Sequence, residues 1–270
     1  MPRGEDIKGN KSGMLGTTNI DELFAETLLG DYDDDAPWQA VLSLQKIGSN
    51  EVFARAKQFC MSSDAIVRAR GIDILAQLGI TGEQRHIYVE QSKDLIVKIL
   101  IDDMSEGVIV SAIHALCHLG DISAVESIVK FGTHDCPEIR YAVASGLGSF
   151  ADDARVITCL LTLMDDPDQE VRDWSTFGLG VQSEADSPEI REALIARLND
   201  IRLETRTEAM AGLAKRGDLR VLPHLLLYFD DDWISSPAVE AAMTLLGMDA
   251  EPLEWVSTDY ARALREKFST

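Results

Sequence analysis

The sequence predicts an all-α fold: a right-handed α-solenoid of about seven short helix-pair repeats with N- and C-terminal capping helices. Three observations predict it. Starting from Pro37, Arg68, Ile109, Arg140, Arg172, Arg206 and Ala238, position +7 is Leu every time: Leu44, Leu75, Leu116, Leu147, Leu179, Leu213 and Leu245. Position +3 is small in all but Val143 (Ala40, Gly71, Ala112, Ser175, Ala209, Ala241), and +4 is apolar in all but Thr176, so +3, +4 and +7 form one helical face. Acidic links return between units at Asp33–Asp35, Asp102-Asp103, Asp165–Asp168, Asn199-Asp200 and Asp230–Asp232, placed to cap the next helix. The starts are 31, 41, 31, 32, 34 and 32 residues apart, a period that marks stacked repeats.

Taken in order, residues 1–18 are rich in Gly, Lys, Ser and Thr without periodicity and read as a disordered tail. Residues 19–30 read as a cap helix, with Asn19 as N-cap, Asp21 and Glu22 in the first turn, Leu23, Phe24 and Leu28 as its apolar face and Gly30 as its stop. Residues 31–250 hold the repeats. Four first helices end at a Gly eleven residues after the start, Gly48, Gly79, Gly120 and Gly217, where a left-handed residue is expected. Second helices follow, as in Ile122/Val125/Ile128/Val129, Val156/Leu160/Leu163, Ile190/Leu194/Leu198 and Val221/Leu225/Leu226. The long second unit carries about ten extra residues in Thr81–Ser92, which either lengthen its second helix or protrude as a loop. Residues 251–270 read as the second cap helix, starting with Pro252 at its first position and facing Leu253, Val256, Tyr260 and Leu264 inward. Each unit buries apolar surface only against its neighbours, so residues 19–270 are expected to be one domain.

Composition narrows the function. Asp and Glu number 46 against 25 Lys and Arg, a net charge of −21. That balance argues against a nucleic-acid partner, which needs Lys and Arg to displace counterions, and suits a basic protein partner. No apolar run reaches ~18–20 residues, so no membrane span is expected. A secretory signal is not expected, and four Cys in 270 residues do not suggest a disulfide framework. A cytoplasmic location follows as an expectation. No G-x-S-x-G, Walker or G-x-G-x-x-G motif is present, no nucleophile stands out, and no catalytic residue or cofactor is expected.

Several residues carry candidate chemistry. Arg68, Arg140, Arg172 and Arg206 recur at position zero and are expected to pair with the interrepeat Asp residues rather than to form an anion-binding stripe. His114 and His118 lie four apart on a helix, the spacing of a zinc pair, with His134 and Cys136 in the next link. They lack the acid of an H-E-x-x-H motif and fall off the Leu face, so a solvated pair is expected and no metal site. The fifth unit stands apart. At the outward positions +2, +5 and +9 other units show mainly small or polar residues, such as Arg70/Asp73/Gln77, but this one shows Trp174, Phe177 and Val181. Such a stripe reads as an exposed binding patch, unless the Val181–Pro188 linker folds over it.

The run Asp166-Pro167-Asp168, Val171-Arg172, Ser175 and Leu179-Gly180 resembles the short HEAT-like repeat of phycobilisome lyase subunits and many bacterial HEAT-repeat proteins, over roughly residues 33–250. The resemblance implies helix pairs stacked into a solenoid. In its lyase members it also implies attachment or removal of bilins with partner subunits, although nothing in this chain marks a tetrapyrrole pocket. Another HEAT-like family, the deoxyhypusine hydroxylases, binds iron through His-Glu dipeptides, and none of the five His here precedes a Glu. The expected function is a non-enzymatic scaffold presenting an acidic curved surface to a basic protein partner, for example as an immunity or inhibitor protein. The alternative is a bilin lyase or chromophore-assembly factor. The expected binding surface is Trp174, Phe177 and Val181 with Asp102, Asp103, Asp165, Asp166, Asp231 and Asp232. The oligomeric state is left open.

Overall fold

A computed structural model describes residues 19–79 and 85–268. The expected tail at 1–18 and part of the second-unit insertion lie outside the described residues. Among the described residues every regular element is helical. A short helix α1 (Ile20–Glu26) precedes seven pairs. These are α2 (Asp35–Ile47) with α3 (Asn50–Cys60), α4 (Ala65–Ala76) with α5 (Arg85–Asp102), and α6 (Glu106–Leu119) with α7 (Val125–Ile128), the last extended at both ends by 3-10 turns. Then come α8 (Pro137–Leu147) with α9 (Ala154–Leu163), α10 (Gln169–Phe177) with α11 (Pro188–Arg197), α12 (Leu203–Lys215) with α13 (Leu222–Asp230), and α14 (Ser236–Leu246) with α15 (Ser257–Phe268).

The Leu register forms the core. All seven repeat leucines are buried, with Leu44, Leu116, Leu147, Leu179 and Leu213 fully so. The stops behave as their sequence implies: Gly48, Gly79, Gly120 and Gly217 all have positive φ, between 55° and 74°. The first helices of successive pairs, α2 to α14, pack in an unbroken row, whereas the second helices touch one another more loosely. A stack whose layers are unequally spaced curves toward the tighter layer, so the outward side of the first-helix row is the concave face. Gly180 and Gly212 permit one such close approach, because a Cβ on Gly212 would lie 2.6 Å from the Gly180 Cα.

Three expectations need correction. Helix α1 does begin at an Asn19 cap whose side chain accepts the Asp21 N–H, and it buries Leu23 and Phe24. It ends at Glu26, however: the Leu28 and Leu29 N–H groups bond the carbonyls three residues back, at Ala25 and Glu26, which tightens the last turn, and Leu28 is exposed. The C-terminal helix begins at Ser257, not Pro252. Glu254 has left-handed backbone (φ 68°), and the Asp259 carboxylate accepts the Val256 N–H just outside the first turn. Leu253 is therefore 94% exposed and Val256 is exposed, while Tyr260 and Leu264 are buried as expected. This helix packs on α13 and α14, and so completes the seventh pair rather than forming a separate cap. The second-unit surplus lengthens α5 to 18 residues. Its buried Tyr88 stacks on Phe53 and donates to Asn50 Oδ1 at 2.9 Å.

Candidate functional site

In four of the seven units the repeat places an Arg near the start of the first helix (Arg68, Arg140, Arg172 and Arg206), and three of these pair with an Asp of the following link to form a ladder. Arg68 Nε lies 2.7 Å from Asp103 Oδ2 and its Nη2 lies 3.1 Å from Oδ1. The same fork joins Arg140 to Asp166 (2.7 and 3.0 Å) and Arg172 to Asp200 (2.7 and 3.1 Å). In each, Nη1 bonds two carbonyls of its own link, as Arg140 does to His134 and Asp135. These rungs are mostly buried, the Arg140–Asp166 side chains being 13% and 5% exposed. The Arg68 hydrogen bond holds the Asp103 carboxyl below the ordinary carboxylate range. Burial pushes Asp200 up, but the bonds from Arg172 and the Arg202 N–H outweigh it and leave that carboxyl lowered too.

The predicted binding residues therefore divide. Asp103 and Asp166 are engaged in rungs and are taken out of the expected acidic surface. Asp102, Asp165, Asp231 and Asp232 are exposed. Asp165 meets Arg197 at 3.0 Å, and Asp232 accepts the Ser257 hydroxyl. Trp174, Phe177 and Val181 are each half-buried rather than standing clear of the fifth unit. The Trp174 ring meets Tyr141 and Phe177 edge to face, with centroids 6.3 and 5.9 Å away. Val181 lies in a π-helical turn, Gly178–Gln182, of the kind that often accompanies function. The following linker is fastened to Asp152 and Arg216: the Ser183 hydroxyl donates to Asp152, and Arg216 donates to the Leu179 and Ala185 carbonyls.

The sequence reading missed a polar cluster at the N-terminal end of the solenoid. Arg70 and Asp73 occupy outward positions, yet Arg70 is 1% and Asp73 8% exposed. The Asp31–Asp35 segment folds Tyr32 over them. Arg70 lies against the Tyr32 ring (3.8 Å to its centroid) and the Trp38 ring (4.9 Å), and donates to the Thr27 and Tyr32 carbonyls. The Tyr32 hydroxyl bonds Asp73 and lies 2.8 Å from Ser111 Oγ. Burial pushes the Asp73 carboxyl up to about 6, against the opposing hydrogen bonds of Tyr32, Ser111 and Arg70. Above this floor opens a cavity of about 320 Å³, lined by Asp33, Trp38, Gln45, Asp73, His114 and His118 among others. Burial, then the neighbouring His118, lowers the His114 pKa. The other two candidate ligands lie in the next link, where His134 Nδ1 accepts the Cys136 N–H at 3.1 Å. Among the described residues no group of three or more His, Cys, Asp or Glu is arranged to hold a metal ion. Only Trp38 and Tyr32, two aromatics beside an acidic link, hinted at this cluster in the sequence.

Comparison with known proteins adds a second line of observation. The family profile of HEAT repeats matches residues 94–180 and 160–245. Protein YibA of Escherichia coli strain K12 is 29% identical over 234 residues, covering 83% of this chain and 79% of YibA, and YibA of E. coli O157:H7 matches equally. The X-ray structure of E. coli YibA superposes with a TM-score of 0.72 at 24% identity, covering 92% of each chain. Among the described residues no helix is long and apolar enough to cross a membrane.

Proposed function

The chain belongs to the HEAT-repeat family, and on that premise we propose that it is a non-enzymatic protein-binding scaffold whose acidic concave face holds a basic segment of a partner, as an immunity or inhibitor protein would. One observation carries this reading: the concave face displays aromatic side chains and acids side by side. At one end Asp33 and Trp38 border the cavity over Asp73. In the fourth and fifth units, Trp174 packs against Tyr141 and Phe177 in a ridge of rings. Aromatic anchors that are already half-buried lose little side-chain freedom on binding and are frequent hot spots. Neighbouring cations offer a basic partner little opposition. Arg70 is buried under Tyr32, and Lys215 is bonded to the Val181 carbonyl and paired with Glu184. With a net charge of −21 the surrounding field steers cations inward.

The test is capture from native lysate with tagged wild-type and Trp174→Ala proteins, at low and at high salt, with the bound proteins identified and quantified by mass spectrometry. The expected result is one stoichiometric basic partner, released at high salt. Trp174→Ala should bind it more weakly by over ~1 kcal/mol, with a far smaller loss of thermal stability than a core truncation causes. A complex that survives high salt unchanged, or one indifferent to Trp174, overturns the proposal.

A further inference from the structure

The Arg–Asp ladder has a fourth arginine whose fork holds no carboxylate among the described residues, and that departure identifies a separate site. In the three complete rungs the carboxylate always belongs to a tight turn. Asp103 accepts the Ser105 N–H, Asp166 the Asp168 N–H and Asp200 the Arg202 N–H, at 2.9, 2.9 and 3.1 Å. The arginine is always fixed first by its own link, through Nη1 and two carbonyls. Arg206 repeats the second half of this arrangement, donating from Nη1 to the Asp200 and Ile201 carbonyls at 2.9 and 3.3 Å. The first half is missing. In the following link Asp230 is drawn to Arg265, and Asp232 has left-handed backbone (φ 62°) and accepts the Ser257 hydroxyl.

Arg206 instead borders a cavity of about 320 Å³ whose wall includes Leu227, Tyr228, Asp231 and Trp233. Leu227 is 63% and Trp233 54% exposed, large values for apolar side chains beside a cavity. A guanidinium anchored at one nitrogen leaves a planar two-donor edge, which matches a carboxylate bidentately. The apolar wall matches a hydrocarbon neighbour of that carboxylate.

We infer that Arg206 and the Leu227–Trp233 wall form a docking site for an aspartate-bearing tight turn of a partner protein, which takes the place that the link aspartate takes in the other three rungs. The site recognises an acid within an otherwise acidic molecule, so its selectivity rests on the shape of the fork rather than on long-range charge. It does not depend on the basic-partner reading of the concave face.

The probe is the chain's own rung turn, an end-blocked peptide spanning Met164–Glu170, added to the full-length protein while the side-chain resonances of Arg206 Nε–H and the Trp233 indole are followed by NMR. The peptide should move both signals saturably. A peptide carrying Asp166→Asn should bind at least tenfold more weakly, as should the unaltered peptide against Arg206→Gln. Trp233→Ala, which leaves the arginine and its carbonyl bonds in place, should weaken binding without removing the Arg206 shift at saturation. Three outcomes overturn the inference: no saturable shift, equal binding of the Asn peptide, or the same response to sodium acetate alone.

Discussion

At the scale of single residues, the ladder shows why a paired charge is costly to break. Arg140 and Asp166 meet through two hydrogen bonds with little solvent contact, so removing one partner strands the other. Arg140→Ala should cost about 3–5 kcal/mol, the usual penalty for an orphaned buried charge. Arg206→Ala strands no carboxylate and should cost far less; urea unfolding of the two variants side by side checks the contrast. Glu208 behaves in the opposite way. Among the described residues its Oε2 is buried without a hydrogen-bond partner. Burial, and then the charge of Asp173, push its carboxyl up to about 8. A carboxyl raised in the folded state binds its proton more tightly there than in the unfolded chain. Its stabilising contribution is complete below the ordinary carboxylate pKa and is lost as pH rises toward 8. Glu208→Gln should therefore be more stable than wild type at pH 9, with the advantage shrinking toward pH 5. The lowered Asp103 and Asp200 have the reverse sign: their stabilisation is present at neutral pH and fades as acid protonates them. Melting curves from pH 2 to 9 separate the two contributions.

At the scale of the helix, the repeat leucine sets the register. Leu147 is fully buried within α8, and Leu147→Ala should cost about 2–5 kcal/mol by leaving a cavity between neighbouring pairs; a neutral result in chemical denaturation would contradict the register. That register was readable because one face of each first helix must repeat the same packing, so the same residue type returns at the same offset. The rung arginines were readable for a similar reason, each unit restating the pairing. What escaped was whatever a single unit does alone. Arg70 and Asp73 fall at positions that are solvated in a regular repeat, and only the return of Tyr32, some 40 residues earlier in the chain, buries them. Pro252 imitates a helix start, but the left-handed Glu254 two residues later prevents one. The half-burial of Trp174 depends on Tyr141, a neighbour from the previous unit that spacing within the fifth unit does not reveal.

At the scale of the whole molecule, charge acts in two opposed ways. Ion pairs such as Arg191–Asp186 and Arg220–Glu192 lie partly or largely in solvent, so salt weakens them, though each contributes little. The stronger rungs are shielded by burial from mobile ions. The net charge of −21 is different: it is long-range, it repels itself in the compact state, and screening relieves it. The global term should exceed the loss of exposed pairs, because the arginines that matter most to the fold are the least accessible to salt. The free protein should therefore melt at a higher temperature as sodium chloride is raised from a few millimolar toward ~150 mM, where the Debye length is ~8 Å. A complex with a basic partner should weaken over the same range, since screening removes the attraction that assembles it. Thermal scans of the free protein and titrations of the complex across one salt series test both signs together. A melting temperature that falls with salt would mean that exposed pairs, rather than net repulsion, dominate the electrostatics of this solenoid.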